Sequence, residues 1–278
     1  MQILRDLDAL AHWRAHAAAA GAHVGFVPTM GYLHAGHTSL MDIARSRCDQ
    51  LVVSIFVNPL QFGPNEDLDV YPRDPDGDAA KCVAHGVDAL FLPEESAFYP
   101  EGFVSTVQVA ELTDGLCGAK RPGHFDGVTT VVARLFGLIR PDLAVFGAKD
   151  YQQLAVIRRM VRDLVMGVEI LAGPIVRDPD GLALSSRNRF LSPAARERAL
   201  SLSAALRAMA SHPSSDVETL LSVGREVLDV DRVDYLEIVD PYSLKPLESV
   251  NPNAQALVAA FVGGTRLIDN LRVERVSA

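Results

Sequence analysis

Short apolar runs alternate with longer amphipathic stretches over the first 175 residues of the chain. The runs are nearly continuous and of strand length, which is typical of central strands covered on both faces. The intervening stretches have the spacing of helices, and such alternation predicts right-handed crossovers and a doubly wound parallel sheet. The predicted strands are HVGFVPT, QLVVSIFVN, DALFLP, PDLAVFG and VEILAGP, and the predicted helices are HTSLMDIARSR, DGDAAKCVAHG, GVTTVVARLFGLIR and DYQQLAVIRRMVRDLV.

The pattern changes after Arg177. Two stretches opened by serine N-caps predict helices, and three apolar runs after them predict strands. These are SPAARERALSLSAALRAMASH and SSDVETLLSVGREVLD, then RVDYLEIVD, QALVAAFVGG and TRLIDNLRV. We therefore expect an α/β fold, with a Rossmann-like doubly wound parallel sheet over residues 1–175 and a second, smaller α+β domain over residues 176–278.

Composition narrows the class of protein. Of the 278 residues 49% are hydrophobic, enough for a large core, and the net charge of −9 argues against a nucleic-acid partner. The N-terminal stretch predicts a helix rather than a signal peptide, and no apolar run approaches the ~18 residues of a membrane span. We expect a cytoplasmic protein without a membrane partner. The cysteines at 48, 82 and 117 form no CxxC pair, which predicts neither a disulfide framework nor a structural zinc site.

The stretch PTMGYLHAGH joins a predicted strand to a predicted helix. A helix N-terminus offers unpaired backbone N–H groups and partial positive charge, which suits phosphate. Gly36 would let a ligand approach the backbone, while His34 and His37 could donate to phosphate oxygens. Taken alone, the motif fits two satisfied surface histidines better, and zinc ligands less well. The phosphate interpretation therefore depends on further donors elsewhere in the chain.

Two further sets of donors follow predicted strands or turns. Lys149 and Asp150 lie in FGAKDYQQ, directly after the run DLAVF, where a cation could meet phosphate. Ser185, Ser186 and Arg187 can together donate several hydrogen bonds to a polyphosphate. Each set alone fits a solvated lysine or a polar surface turn equally well. Together with the histidines they predict a phosphate-binding site.

A long loop over residues 58–78 follows the run LVVSIFV and is rich in Pro, Gly and Asp. Loops of this length are commonly functional lids or disordered segments. Its acidic residues could include a magnesium ligand, because Mg²⁺ prefers a few carboxylates together with phosphate oxygens and water. Solvated charge is the alternative role for most of them.

Six motifs lie collinearly between Val24 and Ser192, and weaker similarity in VDYLEIVD and TRLIDN continues to the end. The motifs are PTMGYLHAGH, VSIFVNPLQF, YPRD, RPGHFDGVTTVV, FGAKDYQQL and LSSRNRFLS. Together they resemble the pantoate–β-alanine ligase family, within the HxGH nucleotidyltransferase superfamily. The resemblance implies an acid–amino-acid ligase that uses ATP to condense (R)-pantoate with β-alanine through a pantoyl adenylate, releasing pyrophosphate and AMP, in coenzyme A precursor biosynthesis. It also implies Mg²⁺ and a homodimer.

The resemblance further implies site residues. Catalytic positions would be His34, His37, Lys149, Ser185, Ser186 and Arg187, with the acid role on His37. ATP would contact Met30, Gly31, Tyr32, Leu33, His34, Ala35, Gly36, His37, Gly147, Ala148, Lys149, Asp150, Val176, Leu184, Ser185, Ser186 and Arg187. Pantoate and β-alanine would contact Asn58, Gln61, His124 and Gln153, and Asp78 would contact Mg²⁺. The loop over residues 58–78 would close over the site.

Three positions depart from the pattern usual in the family. Ala148 stands where an acidic residue is common, Leu184 where methionine is common, and Asp74 where threonine is frequent. These departures concern nucleotide contacts rather than the reaction.

Two alternatives stay open at this stage. An adenylyltransferase of the same superfamily would need cationic residues for a substrate phosphate, where this chain has Gln61 and Gln153. A non-catalytic nucleotide-binding protein would have no reason to keep both histidines, Lys149 and the serine–arginine set together.

Overall fold

The computed structural model describes residues 1–64 and 66–274. The chain forms two compact units. The first unit comprises residues 1–110, 121–148 and 156–174, and the second comprises residues 111–120, 149–155 and 175–278. The second unit thus includes two inner segments that lie before residue 175 in the chain. The division into domains 1–175 and 176–278 stays a prediction.

The first unit contains a sheet in which six strands of the described chain pair in parallel. The strands are β1 (Gln2–Leu4), β2 (Val24–Thr29), β3 (Gln50–Ile55), β4 (Ala89–Phe91), β5 (Leu143–Gly147) and β6 (Glu169–Gly173). Their order is β1-β4-β3-β2-β5-β6, so the strand order reverses between β2 and β5. In doubly wound sheets ligands bind beyond the carboxyl ends of the strands at this point.

The helices follow the amphipathic stretches of the sequence. They are α1 (Leu7–Ala19), α2 (Ala35–Arg45), α3 (Pro75–Ala84), α4 (Glu95–Phe98), α5 (Leu116–Lys120), α6 (His124–Ile139), α7 (Tyr151–Asp163), α8 (Pro193–Ser211) and α9 (Val217–Val227). Local caps fix several starts: Asp6 accepts the Ala9 N–H at 2.7 Å, and Ser192 accepts the Ala195 N–H at 3.2 Å. Edge strand β1 and the short helices α4 and α5 are too short to show periodicity, and the sequence did not predict them.

The second unit contains the antiparallel strands β7 (Arg232–Val239), β8 (Gln255–Val262) and β9 (Thr265–Arg272), paired in that order within the described residues. Gly263 and Gly264 have φ of +56° and +79°, which a two-residue hairpin between β8 and β9 requires. Helices α8 and α9 bury apolar side chains such as Leu202 and Leu220 in one core cluster with Val258 of β8. The predicted α/β fold with a smaller α+β part is confirmed, and the strands of the smaller part are found to be antiparallel.

Candidate active site

The turn between β2 and α2 has a constrained backbone. Gly31 and Tyr32 have φ of +85° and +51°, in the left-handed region. Asp78, in the first turn of α3, accepts the N–H groups of Tyr32 and Leu33, each at 2.7 Å. Burial raises the pKa of the Asp78 carboxyl above its ordinary value, although these two hydrogen bonds oppose the rise. The carboxylate therefore fixes the turn that leads into α2.

This geometry bears on the predicted magnesium contact of Asp78. Both carboxylate oxygens are engaged by backbone N–H groups, and the residue is only 1% exposed. Its surroundings do not fit a magnesium ligand, so the predicted contact has no geometric support. Across residues 1–64 and 66–274, no three His, Cys, Asp or Glu side chains are grouped so that they could hold a metal ion.

His34 and His37 cap the N-terminus of α2 with the same ring nitrogen. Nδ1 of His34 accepts the Gly36 N–H at 3.1 Å, and Nδ1 of His37 accepts the His34 N–H at 3.2 Å. Their ring centroids are 4.1 Å apart. Because Nδ1 accepts in both rings, the proton of each neutral ring is on Nε2. The pair can therefore offer two Nε2–H donors from rings inclined at 38° to each other, and a phosphate accepts such donors.

Asn58 orients Gln61 within the first unit. The Asn58 amide donates to Oε1 of Gln61 and to the carbonyl of Gly127, each at 3.1 Å, and it accepts the Tyr99 hydroxyl at 2.9 Å. Nε2 of Gln61 then donates to Sδ of Met30 at 3.1 Å. Asn58 is 1% exposed, so it supports Gln61 from behind, whereas substrate contact remains a prediction for both residues.

Arg121, to which the sequence analysis assigned no role, contacts His124 at the start of α6. Arg121 donates to Nε2 of His124 at 2.9 Å, and Nδ1 of His124 donates to the carbonyl of Gln61 at 2.8 Å. The guanidinium also binds both carboxylate oxygens of Glu66, at 2.7 and 2.6 Å. Burial acts to raise the pKa of Glu66, but the bonds and charge of Arg121 outweigh it and lower this pKa below 4.5. Arg121 lies in the motif RPGHF, and this motif is the sequence feature that could have indicated a role for it.

The predicted lid over residues 58–78 starts with a 3-10 helix, Pro59–Gln61, and ends in α3; its residue 65 lies outside the described residues. A Cβ on Gly127 would lie 2.2 Å from the carbonyl oxygen of Leu60, so only glycine lets α6 approach the start of the loop. Asp74 caps α3 by accepting the Gly77 N–H at 3.1 Å. Threonine is also an N-cap residue, so this departure from the family pattern keeps the cap. Closure of the loop stays a prediction.

At the end of β5, Gly147 pairs with Gly173 in β6. The N–H of Ala148 donates to the carbonyl of Gly173 at 2.8 Å. The backbone continues the sheet hydrogen bonding through Ala148, and this bond does not depend on an acidic side chain at the position.

The segment Lys149–Ala155 belongs to the second unit. Lys149 has a side chain 19% exposed, with Nζ 3.9 Å from the Asp150 carboxylate. Gln152 is buried and bonds within the same unit: Oε1 accepts the Cys117 N–H and Nε2 donates to the carbonyl of Leu112, each at 2.9 Å. Gln152 is therefore structural, and the half-buried Gln153 remains the candidate for substrate contact.

Ser185 caps the 3-10 helix Ser186–Phe190 by accepting the Arg187 N–H at 3.3 Å. The preceding residue, Leu184, donates its N–H to the carbonyl of Val176 at 3.0 Å, which closes a hairpin. The predicted phosphate-binding residues of this segment thus lie on a short helix at the end of a hairpin.

The predicted site residues are distributed over both units. The first unit holds Met30–His37, Asn58, Gln61, Asp78, His124, Gly147 and Ala148, and the second holds Lys149, Asp150, Gln153, Val176, Leu184 and Ser185–Arg187. Hydrogen bonds bring Met30, Asn58, Gln61 and His124 into one group. The roles of these residues stay predictions.

Comparison with known proteins identifies the family. The model of the family described as pantoate-beta-alanine ligase matches residues 2–272. A pantothenate synthetase 1 of Bradyrhizobium diazoefficiens is 51% identical, over 98% of this chain and 98% of the relative. The solved structure of a Thermus thermophilus pantothenate synthetase has a TM-score of 0.93 at 50% identity, over 99% of this chain and 100% of that one. A Francisella tularensis pantoate-beta-alanine ligase, complexed with beta-gamma ATP and beta-alanine, has a TM-score of 0.83 at 34% identity, over 99% of both chains.

Taken together, these matches bear on the activity as well as the fold. Identity at about half of the positions over nearly the full length confirms the predicted family, the ligase class and the ATP-dependent reaction. No helix of the described chain combines the length and the apolar character needed to cross a membrane. The chain belongs to the pantoate–β-alanine ligase family.

Proposed function

We propose that the chain condenses (R)-pantoate with β-alanine through a pantoyl adenylate, and that His34 and His37 bind the phosphates of ATP. The observation that carries the residue assignment is the shared use of Nδ1 as a backbone cap, which directs an Nε2–H donor from each ring. The rings follow β2 at the reversal of strand order, where ligands bind in such sheets.

In the first step, a pantoate carboxylate oxygen forms a bond to the α-phosphorus of ATP while the bond to pyrophosphate breaks. Both reactants are anionic, so the step needs positioning and charge stabilisation more than covalent help from the protein. His37 acts as the acid that supports the leaving pyrophosphate. Lys149, Ser185, Ser186 and Arg187 supply further donors to phosphate oxygens.

Gln61 and Gln153 hold pantoate through its hydroxyl and carboxylate groups. Neutral amides suit this task, because an acidic side chain would repel the attacking carboxylate. Asn58 fixes the orientation of the Gln61 amide, and its own donors are used by the protein. His124 is proposed to line the pantoate site beside Gln61, because its ring bonds to the Gln61 carbonyl.

In the second step, the amine of β-alanine forms a bond to the acyl carbon of the adenylate, AMP leaves and the amine loses a proton. The mixed anhydride is sensitive to water, so the loop over residues 58–78 is proposed to cover it.

Mg²⁺ would accompany ATP, because phosphate oxygens and water are its usual ligands in nucleotide sites. No step is assigned to it, since Asp78 does not fit a ligand. A homodimer is proposed from the family resemblance alone, and a cytoplasmic location from the composition of the chain. Light scattering of the purified protein and cell fractionation test these two points.

ATP–pyrophosphate exchange tests the proposed reaction. We expect exchange to require D-pantoate, and pantothenate to form only after β-alanine is added. His37→Ala should reduce exchange by about 10²-fold, the usual loss for one donor to a developing charge. His12→Ala changes an exposed histidine of α1 and serves as the matched control.

Two other outcomes point elsewhere. Exchange without pantoate would favour an adenylyltransferase. Nucleotide binding without any turnover would favour a non-catalytic nucleotide-binding protein.

A further inference from the structure

Strand β9 carries two consecutive polar residues that are both buried. Asp269 is 3% exposed and Asn270 is 4% exposed. Successive side chains of a strand point to opposite faces, so the two residues serve different partners. Buried polar groups are costly unless they are hydrogen-bonded, and both of these are.

Asn270 bonds to the backbone at Lys149. Its Nδ2 donates to the carbonyl oxygen of Lys149 at 2.9 Å. Its Oδ1 accepts Nε2 of Gln255, on the neighbouring strand β8, also at 2.9 Å. The bond from Gln255 fixes the orientation of the Asn270 amide, so that the NH₂ group faces Lys149.

Asp269 bonds to the segment that precedes Ser185. Arg177 donates to both oxygens of Asp269, at 2.6 and 2.9 Å, and to the carbonyl of Gly181 at 3.1 Å. Residues 177 and 183 form an antiparallel bridge, so Arg177 opens the hairpin that leads to Ser185. Two adjacent residues within β9 thus bind two segments of the second unit that are far apart in the sequence.

We propose that Asp269 and Asn270 are positioning residues for the phosphate-binding groups of the second unit, with Asn270 acting through Lys149 and Asp269 through the hairpin before Ser185. The inference rests on the proposed role of Lys149 in adenylation. Neither residue touches the reacting atoms in this proposal.

The position of the Lys149 ammonium group depends on the backbone at the base of its long side chain. Lys149 lies between β5 and α7, where the sheet hydrogen bonds have ended, and the Asn270 amide binds its carbonyl oxygen. Without that bond the backbone at Lys149 has more freedom, and so does the ammonium group at the end of four methylenes. Because a displacement of about 1 Å can cost ~10²-fold in rate, a loss of about tenfold is expected from Asn270→Ala.

The test is a double-mutant cycle read by pantoate-dependent ATP–pyrophosphate exchange. Asn270→Ala should lower kcat/KM for ATP about tenfold, while KM for β-alanine in the full reaction stays within twofold. In a Lys149→Ala background, adding Asn270→Ala should cost less than about twofold more, because the two changes remove the same interaction. Leu267→Ala, a core change on the same strand, is the matched control: it should lower the melting temperature without this loss of exchange.

A second variant keeps the test valid if Asn270→Ala fails to fold. Gln255→Leu retains side-chain volume but removes the donor that orients Asn270, and it should reduce exchange about threefold in the same direction. Equal, multiplicative losses in the wild-type and Lys149→Ala backgrounds would overturn the proposal, as would wild-type exchange in both Asn270→Ala and Gln255→Leu. Failure of the proposed function differs from both, because the unmodified protein would then show no pantoate-dependent exchange.

Discussion

The histidine pair of the first unit and Lys149 of the second unit are positioned in different ways. His34 and His37 are held by hydrogen bonds that span two and three residues. Lys149 is held through Asn270, 121 residues away, and the hairpin before Ser185 through Asp269, 92 residues from Arg177. The first arrangement is built into a short motif, whereas the second depends on a correctly folded β9.

This difference has an experimental consequence. Substitutions within PTMGYLHAGH or at Asp78 should disturb the turn that positions His34 and His37. Substitutions on β9 should disturb the positions of Lys149 and of residues 185–187. Substitutions in the two regions separate these two dependences.

The largest effect is expected from Lys149→Ala. Loss of the cation that is proposed to stabilise phosphate charge should reduce exchange by about 10²- to 10³-fold. The side chain is partly exposed and makes one long ion pair, so the free energy of unfolding should change by less than about 0.5 kcal/mol. Lys245→Ala, on the exposed surface of the same unit, is the control. Near-normal exchange would remove Lys149 from the mechanism.

Asp269→Ala should cause the largest loss of stability. It leaves the guanidinium of Arg177, 25% exposed, without its bidentate carboxylate, and breaking such a pair costs about 3 kcal/mol. Denaturant unfolding measures the change. Glu218→Gln removes an exposed partner of Arg225 and should cost less than about 1 kcal/mol, so it sets the scale for a surface pair. A loss for Asp269→Ala no larger than this would mean that β9 does not tie down the hairpin.

Asp78→Asn tests the anchor of the histidine turn. An amide can accept only one of the N–H groups of Tyr32 and Leu33 with its oxygen, so one buried donor loses its partner, at a cost of about 2 kcal/mol. Exchange should fall as well, because the turn positions His34. Asp76→Asn, two residues earlier and exposed, is the control. Unchanged stability in both variants would show that the turn is stable without the two hydrogen bonds to Asp78.

Glu66→Gln should have the smallest effect, and a pH dependence identifies it. The pKa of Glu66 is lowered in the folded protein, so its contribution to stability is present above the ordinary value of 4.5 and is lost as pH falls through the lower folded value. The difference in unfolding free energy between the wild type and Glu66→Gln should be about 1 kcal/mol at neutral pH. It should shrink in the window below pH 4.5. A constant difference would mean that the pairing with Arg121 is not ionic.

The same contrast explains what the sequence could predict. Strand–helix alternation gave the sheet and helices, because each signal is periodic and local. The sequence also predicted a turn and a helix start in PTMGYLHAGH, but it did not predict that His34 and His37 cap this helix. The sequence did not reveal Asp78 as the anchor of that turn, because an acidic residue in a loop has the same appearance whether it binds metal or backbone.

The hydrophobic and polar pattern of the sequence could not predict hydrogen bonds between residues that are far apart in the chain. The residues around Asn270 in the sequence do not indicate that its amide faces Lys149. Arg121 lies in the motif RPGHF, but the motif does not indicate that Arg121 pairs with Glu66. Such partners are set by how strands and helices pack, and a single sequence does not encode that packing in a local signal.

The bond from Gln61 to Met30 bears on the thermodynamics of the proposed pantoate contact of Gln61. A thioether sulfur is a weak acceptor, so the Gln61 amide, 3.1 Å from Sδ, is kept in place without being strongly satisfied. A carboxylate or hydroxyl oxygen that replaces the sulfur forms a stronger bond and breaks only a weak one. For the pantoate contact proposed for Gln61, replacement of the sulfur by an oxygen acceptor would therefore favour binding enthalpically, and the amide would not lose a strong partner.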